Sequence, residues 1–126
     1  AYPIVVMGGT HPGHTTDAVT VMLGDRARCR RIVIATNVDG VYTADPKRDA
    51  SAKRLERLTG EELVRICSGG DGRAGGTGVV DALGAKMIAR SGIEAAVVDG
   101  RDLKALEAAL MGSKEFHGSL VTPGGS

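Results

Sequence analysis

Arg31-Ile32-Val33-Ile34-Ala35-Thr36 runs without a break into Asn37-Val38-Asp39-Gly40-Val41-Tyr42-Thr43-Ala44-Asp45-Pro46. The first six residues are a short, β-branched apolar run. Such a continuous run suits a strand buried on both faces, as in a parallel sheet covered by helices. The ten that follow form a long polar loop. Asp39-Gly40 supplies a tight turn, and Asp45-Pro46 excludes a helix because the residue before proline is pushed toward extended backbone.

Toward the N-terminus, Ala18–Leu23 reads as a helix that ends at Gly24, with Thr15 or Thr16 as N-cap and Asp17 in its first turn. Before it lie the polar loop Gly8–Asp17 and a further short apolar run, Ile4–Met7, closed by Gly8-Gly9 and expected to be a buried strand. In the other direction, Lys47–Arg57 mixes charges of both signs and is expected to be a solvated surface excursion. Thr59-Gly60-Glu61-Glu62 is a capping box that opens a helix through Ile66. Ser68–Gly78 is a glycine-rich loop. A helix from Val79 to Arg90 follows, with Val80, Leu83 and Met87 on one stripe, Lys86 and Arg90 on another, and Gly92 as its stop. Glu94–Val98 is a strand, and Asp102–Met111 a helix whose Leu103, Leu106 and Leu110 are expected to pack in the core. Gly118–Val121 is a last short strand. Strands alternating with helices predict an α/β fold, a parallel sheet flanked by helices on both faces. Ligands in such sheets bind where the strands end, which singles out the loops Gly8–Asp17 and Asn37–Pro46.

The composition narrows the function. The 126 residues carry a formal net charge of +1, so no strong field draws nucleic acid or an acidic membrane surface. The aromatic side chains are Tyr2, Tyr42 and Phe116, too few for a base-stacking platform. Cys29 and Cys67 form no C-x-x-C pair and fit reduced thiols in a cytoplasmic protein. No apolar run approaches the roughly 18 residues that span a bilayer.

The first loop carries the clearest chemistry. Gly8-Gly9 lets backbone approach a ligand, Thr10, Thr15 and Thr16 offer hydroxyls, and the free N–H groups of the following helix favour an anion. The competing reading is a glycine turn and a threonine-capped helix. His11 and His14 make a His-x-x-His pair, but zinc wants three or four ligands and no others have reason to converge there, so no metal site is expected. Asp17 is either a carboxylate favoured by the helix dipole or one that orients a lysine or holds Mg²⁺ beside a phosphate. In the second loop, the Tyr42 ring would suit a purine face and Asp45 a ribose hydroxyl, unless Asp-Gly and Asp-Pro simply make turns. Gly75-Gly76-Thr77-Gly78 looks like a phosphate loop but lacks the G-x-x-x-x-G-K-[ST] pattern and reads as a mobile turn.

In order, Gly8-Gly9-Thr10-His11-Pro12-Gly13-His14-Thr15-Thr16-Asp17-Ala18 and Thr36-Asn37-Val38-Asp39-Gly40-Val41-Tyr42-Thr43-Ala44-Asp45-Pro46 resemble archaeal-type UMP kinase, the uridylate kinase branch of the amino acid kinase superfamily. Asp81–Ile93 and Gly118–Val121 continue the likeness, which runs from about residue 4 to residue 122. The first string is highly specific and the second is shared more widely. The resemblance implies the C-terminal half of an amino-acid-kinase-type sandwich, residues 1–122, followed by a flexible tail at 123–126. It implies transfer of the γ-phosphoryl of MgATP to UMP, giving UDP, in pyrimidine nucleotide biosynthesis. Thr10, His11, Pro12, Gly13, His14, Thr15 and Thr16 would hold UMP, and Thr36, Asn37, Tyr42 and Asp45 would hold ATP. Asp17 falls where the family keeps an aspartate close to the reacting phosphates. The family's N-terminal half, with a lysine and a glycine-rich loop that grip the phosphoryl group, has no counterpart here, and the family's homohexamer forms largely through that half. The alternatives are a truncated or designed nucleotide-binding half-domain without catalysis and a kinase acting on another acceptor, such as an amino acid or a small phosphonate. ADP formation and an acceptor panel discriminate them.

Overall fold

A computed structural model describes residues 4, 6–8, 12, 15–68 and 79–123. In chain order the elements are α1 (Thr16–Arg26), β1 (Arg31–Thr36), β2 (Val41–Tyr42), β3 (Arg54–Leu55), β4 (Arg57–Thr59), α2 (Gly60–Ser68), α3 (Ala82–Ser91), β5 (Glu94–Asp99), α4 (Leu103–Leu110) and β6 (Ser119–Thr122). Four strands make the main sheet in the order β1-β5-β6-β4, and β2 and β3 pair as a separate antiparallel ribbon.

The α/β class read from the sequence stands, but the sheet is mixed. β1 and β5 are parallel, as are β4 and β6, whereas β6 runs antiparallel to β5. The cause is the return path of the chain after α4. Ser113 meets Arg31 at the start of β1, and His117 already meets Asp39 beyond its end. The chain therefore enters β6 beside the far half of β5 and runs back along it.

Alternate residues of β1 and β5 face opposite sides. Ile32, Ile34, Ala95 and Val97 belong to the larger core with Val21, Leu63 and Ile88 from α1, α2 and α3. Ala96 and Val98, with half-buried Val33, meet Ala105 and Ala109 of α4 on the other face. Helices thus cover both faces, as expected. Arg31 fastens the second layer. Its buried guanidinium pairs with Glu94 at 2.6 Å and donates to the carbonyls of Ala109 (3.0 Å) and Ser113 (2.6 Å).

Several local expectations hold. Thr59 Oγ1 accepts from the Glu62 N–H at 3.1 Å, and the Glu62 carboxylate faces the Thr59 N–H at 3.4 Å, which is the capping box. Gly92 ends α3 in the left-handed region at φ 71°. Others change. α1 passes through Gly24, which is a packing glycine, because a Cβ there would lie 2.5 Å from Ile32 Cγ2. The Leu103 and Leu110 stripe is largely exposed, while Ala105 and Ala109 are buried. Both sets recur at helical spacing, and the alanines let α4 sit close against Ala96. Lys47–Arg57 is not wholly a surface excursion, since it contains β3, whose Leu55 packs on the core, and the start of β4. Ile4, Val6 and Met7 are exposed and in no strand, because no described strand pairs with them. Ser68–Gly78, apart from Ser68 at the end of α2, lies outside the described residues, as does the tail beyond Pro123.

Where α2 and α3 touch, a Cβ on Gly60 would lie 2.8 Å from the Cα of Ala89. A helical glycine replaced by alanine would ordinarily gain up to about 1 kcal/mol, but backbone cannot give way as a side chain can. Gly60→Ala is expected to destabilise the fold by about 1–3 kcal/mol through overpacking. Denaturant midpoints of the two chains check this, and a midpoint that rises in the variant contradicts the close packing.

Candidate functional site

α1 and β1 are joined by residues 27–30, and α3 and β5 by Gly92 and Ile93. Connections this short send each helix back along its strand. The N-termini of α1 and α3 therefore stand at the same end of the sheet, where β1 and β5 finish at Thr36 and Asp99. Thr15 caps α1, its Oγ1 accepting from Ala18 N at 3.2 Å, and Asp81 caps α3, its Oδ1 accepting from Gly84 N at 2.6 Å. The capped ends carry the partial positive charge of their unpaired N–H groups.

Asp17 joins the two helices. Its Oδ2 accepts from the Asp81 N–H at 3.2 Å, and the backbone of Gly84 comes so near that a Cβ there would be 2.9 Å from the Asp17 Cβ. Burial pushes the Asp17 carboxyl above its ordinary value, and the Asp81 charge adds to this, against the opposing hydrogen bond from Asp81. Cys67, in the last turn of α2, lies in the same field. Burial, then the charges of Asp81 and Asp17, push its thiol up to about 11.

A second group of side chains surrounds the loop after β1. Asp39 accepts from the Tyr42 hydroxyl at Oδ1 (2.7 Å) and meets His117 Nε2 at Oδ2 (2.9 Å). Burial acts to raise the Asp39 carboxyl. The bonds from Tyr42 and His117, with the positive fields of His117 and Arg54, outweigh it and hold the group below its ordinary value. The Tyr42 phenol is raised, first by its bond to Asp39. Gly40 has φ 151°, and a Cβ on it would stand 2.7 Å from Ser119 Oγ. That hydroxyl is buried, accepts from Val41 N at 2.8 Å and donates to the Leu55 carbonyl at 2.5 Å. At the end of β5, Arg101 grips both oxygens of Asp99 and donates to the Asn37 carbonyl at 3.2 Å. These bonds bring the Asp99 carboxyl down to about 2.

The residues singled out by sequence fall into distinct places. Thr15, Thr16 and Asp17 share the start of α1. Thr36 and Asn37 stand at the end of β1, and Tyr42 is in β2. The Asp45 carboxylate is turned to its own loop, accepting from Lys47 N at 2.9 Å, with Arg48 3.8 Å away. Pro12 is exposed, and Thr10, His11, Gly13 and His14 lie outside the described residues. Among the described residues no group of three or more metal-ligating side chains assembles, and no helix is long and apolar enough to cross a membrane. Sequence reading gave no role to Arg54, Asp81, Asp99, Arg101, His117 or Ser119, although the family likeness takes in Asp81 and Ser119. Asp81 has a local signal, an N-cap aspartate ahead of a helix, and Asp99 and Arg101 stand two residues apart; the other contacts act across 64 to 78 residues of chain.

A raised thiol holds little thiolate, the form that alkylates. At pH 8, iodoacetamide is expected to label exposed Cys29 in the native chain and to spare Cys67, with both labelled in denaturant. Peptide mass spectrometry reads the two sites separately, and rapid native labelling of Cys67 contradicts this account of the α1–α3 junction.

The amino acid kinase family model matches residues 2–99. The uridylate kinase of Thermococcus sibiricus is 47% identical over 120 residues, covering 95% of this chain and 52% of that protein. That of Archaeoglobus fulgidus is 50% identical over 99 residues, covering 79% of this chain and 45% of its own length. The crystal structure of uridylate kinase from A. fulgidus superposes with a TM-score of 0.81 at 42% identity, over 96% of this chain and 53% of that one. UMP kinase from Bacillus anthracis gives 0.72 at 25% identity, over 91% and 43%. The chain spans about half the length of the curated relatives it matches.

Proposed function

The chain belongs to the amino acid kinase family, and from that premise we propose that residues 1–122 form the nucleotide-binding half of a UMP kinase, which moves the γ-phosphoryl group of ATP to the phosphate of UMP. The observation that carries this reading is the junction of two capped helix N-termini at the finishing ends of β1 and β5, with Asp17 between them. It agrees with what the similar uridylate kinases are named for.

UMP belongs at the start of α1, its phosphate taking N–H groups of the first turn and the hydroxyl of Thr16. Thr15 is already spent on capping. The loop string from Thr10 to His14 completes the acceptor site. ATP belongs beside Thr36, Asn37 and Tyr42, with the half-buried Tyr42 ring as the surface for the base and Asp45 at the ribose. An oxygen of the UMP phosphate attacks the γ-phosphorus, the bond to the β-phosphate oxygen breaks, and ADP leaves. Work of this kind is positioning and charge neutralisation.

Mg²⁺ supplies the neutralising charge when bound with the ATP phosphates, and it usually needs only one or two protein carboxylates. Asp17 is a hard oxygen donor at this edge, and Asp81, whose Oδ1 caps α3, lies beside it, so the donor set fits. Asp17 is the carboxylate we place at the reacting phosphates, orienting either the ion or a cationic side chain. The homohexamer and the cytoplasmic location remain part of the same proposal for the whole protein.

Calorimetric titration with UMP, with AMP as control, tests the acceptor site. Saturable binding of UMP but not AMP is expected, and equal or absent binding of both removes the site from this half. Thr16→Ala is expected to weaken UMP binding by about 1–3 kcal/mol through loss of a hydrogen bond to a charged group. The Thr16 hydroxyl does not cap α1, so the thermal transition should stay in place; unchanged UMP affinity counts against the assignment. ADP formation by the chain, with and without UMP, separates a working kinase from a binding module.

A further inference from the structure

The segment leading into β6 is tied to the loop after β1 and its ribbon at three successive residues. His117 Nε2 meets Asp39 Oδ2 at 2.9 Å, the Gly118 carbonyl accepts from Arg54 Nη1 at 3.1 Å, and Ser119 Oγ serves Val41 and Leu55. The latter two pin backbone. The first is different, because it ends on a side chain that does something else. Asp39 gives one oxygen to His117 and the other to the Tyr42 hydroxyl, at 2.7 Å. A carboxylate held at both oxygens has its plane and rotamer fixed, and so directs the phenol that donates to it. His117 is about half exposed, so it is not needed to fill the core.

We propose that His117 is a positioning residue for Tyr42: by holding one oxygen of Asp39 it aims the other at the Tyr42 hydroxyl and sets the ring on which a nucleotide base would lie. The nucleotide part rests on the reading of Tyr42 as an ATP contact; the coupling of His117 to Tyr42 stands on the hydrogen bonds alone. The other charged groups facing this cluster are Arg54 from β3 and Asp99, paired with Arg101, at the end of β5.

The sequence holds two tyrosines and no tryptophan, so absorbance at alkaline pH follows tyrosine ionisation in the full chain, and Tyr42→Phe assigns the Tyr42 step. In His117→Ala the Tyr42 ionisation constant is expected to rise about three-fold or more, toward its value in Asp39→Asn. In His117→Gln, whose amide N–H reaches toward the same oxygen, it is expected to stay near wild type. A Tyr42 step that does not move in His117→Ala overturns the proposal, whatever ATP does. The same variants are titrated with ATP and with UMP. His117→Ala is expected to weaken ATP about five-fold, with rescue by Gln and no change for UMP. If the Tyr42 step moves but the wild-type chain binds no ATP, the nucleotide reading falls and the positioning stands. If ATP binds equally to all variants while the step moves, Tyr42 is removed from the ATP site and His117 keeps its hold on it.

Discussion

The Ser119 hydroxyl is the one side-chain polar group fully buried among the described residues, and it is used in both directions. It accepts from the loop that leaves β1 and donates to the ribbon strand β3, from its place at the head of β6. A buried hydroxyl costs free energy unless its hydrogen bonds are made, so the three segments are obliged to meet there. Gly40 answers to the same constraint, since a side chain on it would collide with Ser119. The polar loop after β1 is therefore anchored to the core at Val41, and Asn37, Val38 and Asp39 are held in turn by Arg101, the core and His117.

The edge at the starts of α1 and α3 trades stability for charge placement. Asp17 and Asp81 adjoin at the helix N-termini, and Asp17 is held above its ordinary pKa by burial. A carboxylate in that position binds protons more tightly folded than unfolded, so it subtracts from stability as pH rises through the carboxylate range and the deficit persists at neutral pH. A fold selecting only for stability would place an asparagine or serine there and keep the hydrogen bond to the Asp81 N–H. Carrying a charge there instead costs stability, which supports the proposal that gives Asp17 a part in the chemistry.

Local signals explain which parts were legible. Arg31–Thr36, the Thr59–Glu62 box and the Gly92 stop each depend on residues within a few positions of one another, and each was read with its boundaries close to the observed ones. Leu103 and Leu110 misled because Ala105 and Ala109 carry the same helical period, and only the closeness of α4 to Ala96 decides between them. β2 and β3 are two residues each and owe their existence to Ser119 and to each other. No periodicity marks so short a pair. Asp39 was visible as half of a turn, but its partner His117 is 78 residues away, and nothing in either neighbourhood announces the meeting.

Charge sets the last constraint. At this end of the sheet the described residues offer Asp17, Asp39, Asp81 and Asp99 against Arg54, Arg101 and His117. The guanidinium of Arg101 is committed to Asp99, Arg54 donates to the Gly118 carbonyl, and His117 faces Asp39. Among the described residues, the carboxylates Asp17 and Asp81 sit with the partial charges of two helix ends. Such ends stabilise an anion by roughly 0.3–1 kcal/mol each where solvent reaches them, a modest counterweight to two adjoining carboxylates. Two capped helix ends that meet over adjoining carboxylates thus leave this edge, among the described residues, acidic in balance.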